Sequence, residues 1–456
     1  MAFFSRRRLQ AMLDDLSRMI PEDKSSDLLA RLENKRVDQA LPAEIELALL
    51  WSFSKLGEMD VEPEWWGDNR RPDVVTEHLV PGTLTAVEIA AATDNSISGK
   101  EAMHRIAIQF VDHANATEKG VGQYLYFTFG DTRICEKGKS VRVRLAPEGH
   151  VVSDQSKVLL HQWLKSGRSK SNSLNVVEDG LQVSIERKGH KLPEQHNTFS
   201  YVPPEANYID DNPLYDLLKR KAAQLKAAKF ETIRVVVVAD VGSSLLRQIG
   251  SYGERHSLGG AASGSSIISQ FMKQNAGKID GVVTVSPYRK GNPFRHSELS
   301  WRVDIFSNDS DLKTKLSEGF NKAIAALPKP RFEGSQARSL FLQDAFSPKR
   351  MGWYVDVHME NRMENTTLHI PARALLDLLA GRITPQQFTH FMGDQPGDVS
   401  LIKSLLDNGN TLSKIEMSKR DIDVDDDHIV LHFADDPAAR ALRLNLEAND
   451  SSHDGV

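Results

Sequence analysis

Two acidic residues stand in neighbouring apolar runs, at a spacing that could bring them side by side. Asp73 precedes Val74-Val75, and Glu88 lies within the run Thr85–Ala90. Pro81-Gly82 between the runs predicts a turn, so we expect two adjacent strands that carry one carboxylate each. Paired carboxylates offer the hard oxygen ligands that Mg²⁺ prefers, and Mg²⁺ is the usual partner of phosphate chemistry. The sequence therefore predicts a metal site on these two strands.

The elements that precede the pair are a helix and a further strand. Pro42 is expected to open a helix over Ala43–Leu56. Its first turn contains Glu44 and Glu46, where acidic side chains complement the helix dipole. Val61–Trp66 then predicts a strand that leads into the two acidic strands.

This arrangement of residues resembles the PD-(D/E)XK nuclease superfamily, whose restriction-endonuclease-like core carries Pro-Asp on one strand and Glu-x-Lys on the next. Pro72-Asp73 matches the first element, and Glu88-Ile89-Ala90 matches the second except at its last position. Ala90 stands where the family has a lysine that orients the nucleophile and stabilises developing charge. The function implied by the resemblance therefore depends on whether another residue replaces that lysine.

The resemblance also implies a set of metal ligands. Asp73 and Glu88 would hold one or two Mg²⁺ (or Mn²⁺) ions, which would activate a water and stabilise the leaving oxygen of a phosphodiester. Glu46, with Glu44 as the alternative, matches the extra ligand that the preceding helix supplies in many family members. The other interpretation of these two glutamates is helix N-terminal charge alone.

A replacement for the missing lysine is expected from another element. The helix predicted over Leu214–Lys229 carries Lys221 and Gln224 three residues apart, on one flank of its apolar stripe. Such a Lys-x-x-Gln pair resembles the helix that follows the acidic strands in many family members, which makes both residues catalytic candidates. Lys100 is a second candidate for the amine. The other lysines of the helix fall on its solvent-facing side: Lys219, Lys226 and Lys229. The alternative is that all of these lysines are solvated helix charges.

The order of the elements predicts an α/β fold. Val235–Val238 are four consecutive valines, which indicates a strand covered on both faces of a mixed or parallel sheet, and helices alternate with strands to about residue 290. The resemblance implies a restriction-endonuclease-like mixed sheet flanked by helices. We expect a helical segment over 1–40, the α/β domain over 41–295 with an inserted basic region at about 135–205, and an α+β domain over 296–456.

Composition restricts the class of protein further. The 456 residues are 40% hydrophobic and 26% charged, which is typical of a globular chain, and the net charge of −5 gives no global basic field. Local basic residues of the inserted region could still contact phosphates: Lys165, Arg168, Lys170, Arg187, Lys188 and Lys191. The single cysteine excludes an internal disulfide. We expect a cytoplasmic protein, without a signal peptide or membrane partner.

Three functions stay open at the level of sequence. The first is a Mg²⁺-dependent DNA endonuclease, which the resemblance places in bacterial genome defence, restriction or antiviral defence, with partner proteins or self-assembly possible. The second is a catalytically inactive nuclease-fold scaffold, or a nucleic-acid-binding subunit of a larger complex, as the absence of the motif lysine would favour. The third is an unrelated α/β protein in which Pro72-Asp73 is coincidental.

Overall fold

The three-dimensional structure is a computed structural model. It describes residues 2–34, 36–66, 71–94, 100–136, 139–166, 173–189, 197–202, 206, 208–225, 231–250, 262–290, 298–342, 358–362, 365–382, 384–385, 388 and 401–436. The chain forms two compact units. The larger comprises Ala2–Phe4 and Ala11–Leu342, and the smaller comprises Ser5–Gln10 and Gln343–Val456.

The helices of the described residues, in chain order, are α1 (Arg6–Leu16), α2 (Glu22–Leu32), α3 (Val37–Ser54), α4 (Lys100–Thr117), α5 (Asp154–Lys165), α6 (Pro213–Leu225), α7 (Ser244–Gln248), α8 (Gly264–Gln274), α9 (Ser310–Ala326), α10 (Gly334–Leu342), α11 (Ala372–Leu379) and α12 (Leu401–Asp407). The strands are β1 (Asp60–Val61), β2 (Val74–Val80), β3 (Thr83–Ala92), β4 (Leu125–Phe129), β5 (Asp131–Glu136), β6 (Lys139–Arg144), β7 (Ser173–Glu178), β8 (Leu181–Arg187), β9 (Thr198–Ser200), β10 (Ile233–Asp240), β11 (Gly281–Lys290), β12 (Glu298–Phe306), β13 (His358–Arg362), β14 (Asn365–Pro371), β15 (Asn410–Met417) and β16 (His428–Asp435).

The larger unit is built on a six-stranded mixed sheet in the order β1-β2-β3-β10-β11-β12. β2 and β3 pair antiparallel around the predicted turn, where Gly82 adopts a φ of +74° that favours glycine. β10 runs parallel to both β3 and β11, and β12 closes the other edge antiparallel to β11. The structure confirms the predicted α/β class, with a mixed sheet flanked by helices.

Helices cover both faces of this sheet, as the valine run of β10 requires. Val235, Val236, Val237 and Val238 are all fully buried. On one face α6, α7 and α8 enclose a core that contains Val236, Val238 and Ala86. On the other face α3 packs on β3, and α9 packs on β2. The central strands are therefore held in place from both sides, and so is any side chain that they carry.

Two predicted elements ahead of the site are wrong in detail. The expected strand Val61–Trp66 is only β1, because Pro63 has no N–H for the ladder; Glu64–Trp66 instead form a turn of 3₁₀-helix. The helix expected to open at Pro42 already begins at Val37 and includes the proline. Burial of Ala40 and Leu41 in the turn before Pro42 offsets the hydrogen bond that the proline cannot donate.

The insertion between β3 and β10 folds around a core of its own. Four strands form a sheet in the order β7-β8-β4-β9, α4 and α5 cover one of its faces, and β5 and β6 form a separate hairpin. The insertion therefore begins with α4, ahead of the expected boundary near residue 135. β12 likewise extends the main sheet beyond residue 295, because it pairs with β11 along nine residues.

The smaller unit contains an antiparallel sheet in the order β13-β14-β16-β15, with α11 and α12 contributing to its core. This is the predicted α+β pattern. None of the described helices combines the length and the apolar character that crossing a lipid bilayer requires.

Candidate active site: a buried carboxylate pair beside a helix-borne lysine

Asp73 and Glu88 meet where β2 pairs with β3. Val74 lies opposite Val87 in the ladder, so the residues on either side of this pair are neighbours across the two strands. The backbone N–H of Ile89 donates a hydrogen bond of 2.6 Å to Asp73 Oδ2. Glu88 is only 1% exposed. The hairpin predicted from Pro81-Gly82 thus places the first carboxylate against the backbone next to the second.

Lys221 reaches Glu88 from α6, the helix that packs on β3. The side of α6 that faces the sheet is set by its apolar stripe, which is buried in the core. The stripe consists of Leu214, Leu218, Ala222 and Leu225. Lys221 lies on the flank of this stripe, and its Nζ is 2.5 Å from Glu88 Oε1. Its side chain is 18% exposed, so the amine lies at the border between the core and solvent.

Gln224 and the alternative lysines are placed differently. Gln224 lies on α6 one turn beyond Lys221 and is half-buried, and its side chain makes no hydrogen bond to any residue that the structure describes. The side chain of Lys100 and the whole of Lys226 and Lys229 fall outside the described residues. Ala90 is 6% exposed and cannot supply an amine.

The two carboxyl groups hold protons more tightly than free acids do. Burial and the neighbouring charge of Asp73 raise the pKa of Glu88 to about 8, although Lys221 opposes the rise. Burial also raises the pKa of Asp73 to about 6, against the opposing charge of Lys221. Strongly perturbed acids that share one small volume with an amine are typical of catalytic and metal sites, although structural ion pairs can produce them as well.

One oxygen of Glu88 has no partner. Glu88 Oε2 is fully buried and has no hydrogen-bond partner among the described residues, while Oε1 faces Lys221 and the backbone N–H of Asp73 also interacts with this carboxyl group. A buried carboxylate oxygen without a partner is costly, because it has lost its hydration without compensation. A cation or a metal-bound water could satisfy this oxygen. Glu88 and Asp73 together offer two carboxylates, and Mg²⁺ is usually held by one or two carboxylates, with waters and substrate as the remaining ligands. The donor set therefore fits Mg²⁺ or Mn²⁺.

Glu46 lies near this pair but is already neutralised by cations from α2. Its Oε1 is 2.8 Å from Lys24 Nζ, and its Oε2 is 2.7 Å from Arg31 Nη1. Burial alone would raise the pKa of Glu46, but Arg31 and Lys24 lower it below its ordinary value. No group of three His, Cys, Asp or Glu side chains arranged to hold a metal occurs within the described ranges. The oxygens of Glu46 thus face Lys24 and Arg31, although its charge still contributes to the raised pKa of Asp73.

Glu44, the alternative ligand on α3, has a structural role. It is fully buried, and its carboxylate accepts hydrogen bonds from the backbone N–H groups of Ala2, Phe3 and Phe4, at 2.9 to 3.3 Å. This side chain therefore anchors the start of the larger unit.

Sequence reasoning missed Lys24, whose side chain is only 8% exposed and lies beside Glu46 and Glu62. Its Nζ bridges Glu46 and Glu62, the latter at 2.5 Å. Burial alone would lower the pKa of Lys24, but the two glutamates raise it above its ordinary value. In the sequence, Lys24 stands in the polar run Pro21-Glu22-Asp23-Lys24 at the start of α2 and looks like an ordinary surface charge. Only the packing of α2 against α3 distinguishes it.

Comparison of the chain with protein-family models, with curated proteins and with solved structures finds no significant match.

Proposed function

We propose that this protein is a Mg²⁺-dependent phosphodiester hydrolase that cuts DNA, with Asp73, Glu88 and Lys221 as its central residues. The observation that carries the proposal is the unpartnered, buried Oε2 of Glu88, which lies in one cluster with a second carboxylate and an amine. Hard oxygen ligands and a cation at one point are what phosphoryl hydrolysis needs.

Each residue has a defined part in this proposal. Asp73 and Glu88 would hold the metal, which would supply Lewis acidity and a water of lowered pKa. Glu88 must release its proton for this, because the metal competes for the same oxygens. Lys221 then turns from Glu88 toward the phosphate and compensates the negative charge that develops on its oxygens in the transition state. The Ile89 N–H keeps Asp73 oriented throughout through its hydrogen bond to Oδ2.

The substrate and the setting come from the resemblance to the PD-(D/E)XK superfamily. It favours DNA as substrate, an endonucleolytic cut, and a cytoplasmic role in bacterial genome defence or restriction, with Mn²⁺ able to replace Mg²⁺. The lysine absent at position 90 is supplied in this proposal from α6, where Lys221 is in contact with the motif glutamate. Gln224, one turn away, would contact the substrate or the attacking water.

A second function, a nuclease-fold scaffold without catalytic activity, is favoured by one specific observation. Lys221 forms an ion pair with Glu88, and Lys24 and Arg31 neutralise Glu46, so cations of the chain already balance these acids. Because the pKa of Glu88 is raised to about 8, this carboxyl is largely protonated near neutral pH, and the site then needs no metal to balance its charge. In that case the carboxylate pair would be a structural remnant, and the protein would act through binding.

Cleavage of supercoiled plasmid decides between the two. Full-length protein is incubated with plasmid in Mg²⁺, in Mn²⁺ and in EDTA, together with the variants Glu88→Gln and Asp73→Asn. Glu77→Gln is the matched control, because Glu77 lies on β2 with its side chain exposed. We expect nicked or linear product only with metal and only from the wild type and the control. Cleavage in EDTA, or full activity of Glu88→Gln, would refute the assignment; no cleavage by folded wild type would favour the scaffold.

A further inference from the structure

α4 and α5 cover one face of the sheet of the insertion, and no helix among the described residues covers the other. The alternation of β4 sends Leu125, Phe127 and Phe129 into the core with α4 and α5. Tyr126 and Thr128 therefore point to the opposite face, and Thr128 lies beside Phe199 in the parallel β4–β9 pairing. The exposed face of this sheet is thus formed by side chains that alternate with the core residues.

Aromatic rings are concentrated on this face. Phe199 is 40% exposed and Tyr201, two residues further along the same edge, is 65% exposed. Their rings pack edge to face, with centroids 4.9 Å apart. Tyr126 is half-buried on the neighbouring strand. Rings of this size are usually removed from water, so two exposed neighbours on an open sheet indicate a contact surface.

Cationic side chains surround the rings. Lys188 Nζ lies 4.9 Å from the centre of the Tyr126 ring. Arg142 Nη1 is 3.5 Å from the carbonyl oxygen of Tyr201, and Arg144 Nη2 donates to the carbonyl oxygen of Val202 at 2.5 Å. Arg133 is exposed and lies directly opposite Arg142 in the β5–β6 hairpin. The hairpin therefore brings a row of guanidinium groups to the end of β9.

Apart from the rings and the exposed Val177, the described part of this face is polar. Gln182 and Asn175 are exposed on β8 and β7, and Thr128 and Ser184 are partly exposed beside them. A protein-binding patch of this size would be expected to have an apolar centre, whereas amide and hydroxyl groups suit the hydrogen-bonding edges of bases. The acidic residues at the surface are already paired: Asp131 with Arg142, and Glu186 with Lys188.

From these observations we infer that this face binds single-stranded nucleic acid, with unpaired bases stacked on Tyr201 and Phe199 and with a phosphate held by Arg133. Base–aromatic stacking needs unstacked bases, which a duplex does not offer, and basic side chains along the strand path neutralise phosphates. This surface belongs to a different sheet from Asp73 and Glu88, so the inference goes beyond the proposed cleavage and does not require it.

The test is fluorescence anisotropy of a labelled twelve-nucleotide (dT) strand with the full-length protein in EDTA. The same length of duplex DNA and of (rU) is measured in parallel. We expect the strands to bind more tightly than the duplex. Stacking on one ring contributes enough for Tyr201→Ala to weaken binding about tenfold, and Phe199→Ala/Tyr201→Ala about a hundredfold. Tyr201→Phe keeps the ring and should bind within about twofold of wild type.

Two further variants separate stacking from charge and from general surface effects. Val158→Ala, at an exposed apolar residue on α5, the helix that helps to cover the opposite face of the sheet, is the matched control and should leave binding unchanged. Arg133→Ala should weaken binding and reduce the slope of log K against log salt by about 0.7, as loss of one phosphate contact requires. Should Phe199→Ala lower the unfolding temperature, Tyr201→Ala decides alone, because this side chain is mostly in solvent.

The outcomes are distinct from those of the plasmid assay. Wild type that fails to bind the strands, or a folded Tyr201→Ala that binds them as wild type does, would overturn the inference even if plasmid is cleaved. Ring-dependent binding by a protein that cleaves nothing would support the inference and refute the proposed cleavage. Equal loss of strand and duplex binding in Tyr201→Ala would also overturn it, because stacking requires unpaired bases.

Discussion

Replacing Glu88 by glutamine should stabilise the metal-free protein at high pH, although it removes a buried ion pair. The pKa of Glu88 is raised in the folded state, chiefly by burial and by Asp73. When the pKa of an acid is higher in the folded protein than in the unfolded chain, the acid contributes its full stabilisation at a pH below the unfolded-state pKa. That contribution is lost as the pH rises through the folded-state pKa. Between about pH 4.5 and 8, the ionisation of Glu88 therefore increasingly opposes folding.

The magnitude follows from the size of the shift. A tenfold change in proton affinity corresponds to about 1.4 kcal/mol. Ionised Glu88 therefore costs the folded state roughly 4–5 kcal/mol relative to the unfolded chain at pH 9. Removing the charge leaves Lys221 without its partner, but this side chain is 18% exposed and can reach water. We expect a net gain of about 1–3 kcal/mol for Glu88→Gln at pH 9, and close to zero at pH 4.5.

The assay is thermal or denaturant unfolding of wild type, Glu88→Gln and the control Glu77→Gln, in EDTA and in Mg²⁺, from pH 5 to 9. In EDTA the apparent unfolding temperature of Glu88→Gln should exceed that of wild type by a growing margin as pH rises. In Mg²⁺ the wild type should gain stability, by about 2.7 kcal/mol at a hundredfold excess over Kd, and Glu88→Gln should not. The reasoning is refuted if Glu88→Gln is the less stable protein in EDTA at pH 9.

Three other outcomes are expected. Lys221→Ala should lower the rate of metal-dependent cleavage about a hundredfold, as the loss of one preorganised donor does. Lys219→Ala, on the exposed side of α6, is the control and should change the rate little. Equal rates for the two variants would contradict the role of Lys221. Mg²⁺ binding at pH 6.5 should release a proton from Glu88. Calorimetry would show this release as a binding heat that depends on the ionisation enthalpy of the buffer. A binding heat that is the same in all buffers would exclude proton release. Lys24→Ala should lower the free energy of unfolding of the larger unit by about 3–5 kcal/mol, because it removes a cation from the buried Glu46. The double variant Lys24→Ala/Glu46→Gln should recover part of that loss, measured by denaturant unfolding.

The elements that local pattern could reveal were predicted well. The β2–β3 hairpin follows from two apolar runs and a Pro-Gly turn, and β10 follows from four adjacent valines. The apolar stripe of α6 also defines which of its lysines can approach the sheet. In each case the information lies within about fifteen residues, because strand alternation and helical periodicity are local properties.

The parts that were not predicted depend on contacts between distant segments. Glu44 and Glu46 are two residues apart on α3, yet one anchors the backbone of Ala2–Phe4 and the other meets α2. Their type and spacing are the same in either role, so no local pattern separates them. Pro42 inside α3 is a similar case, because the burial that tolerates it comes from the tertiary packing of the turn before it.

The amine beside Glu88 shows where local and tertiary information divide. A lysine at position 90 would have been placed by strand register alone, because residues two apart on β3 share a face. A lysine on α6 depends instead on how the helix crosses the sheet, after an insertion of about a hundred residues. The flank of the apolar stripe limits the choice to Lys221, but its 2.5 Å contact with Glu88 is a property of the packing. An amine on a helix also lies at the edge of the core and is partly exposed, as Lys221 is. It can therefore move between the carboxylate and an incoming phosphate more readily than an amine on a strand inside the sheet.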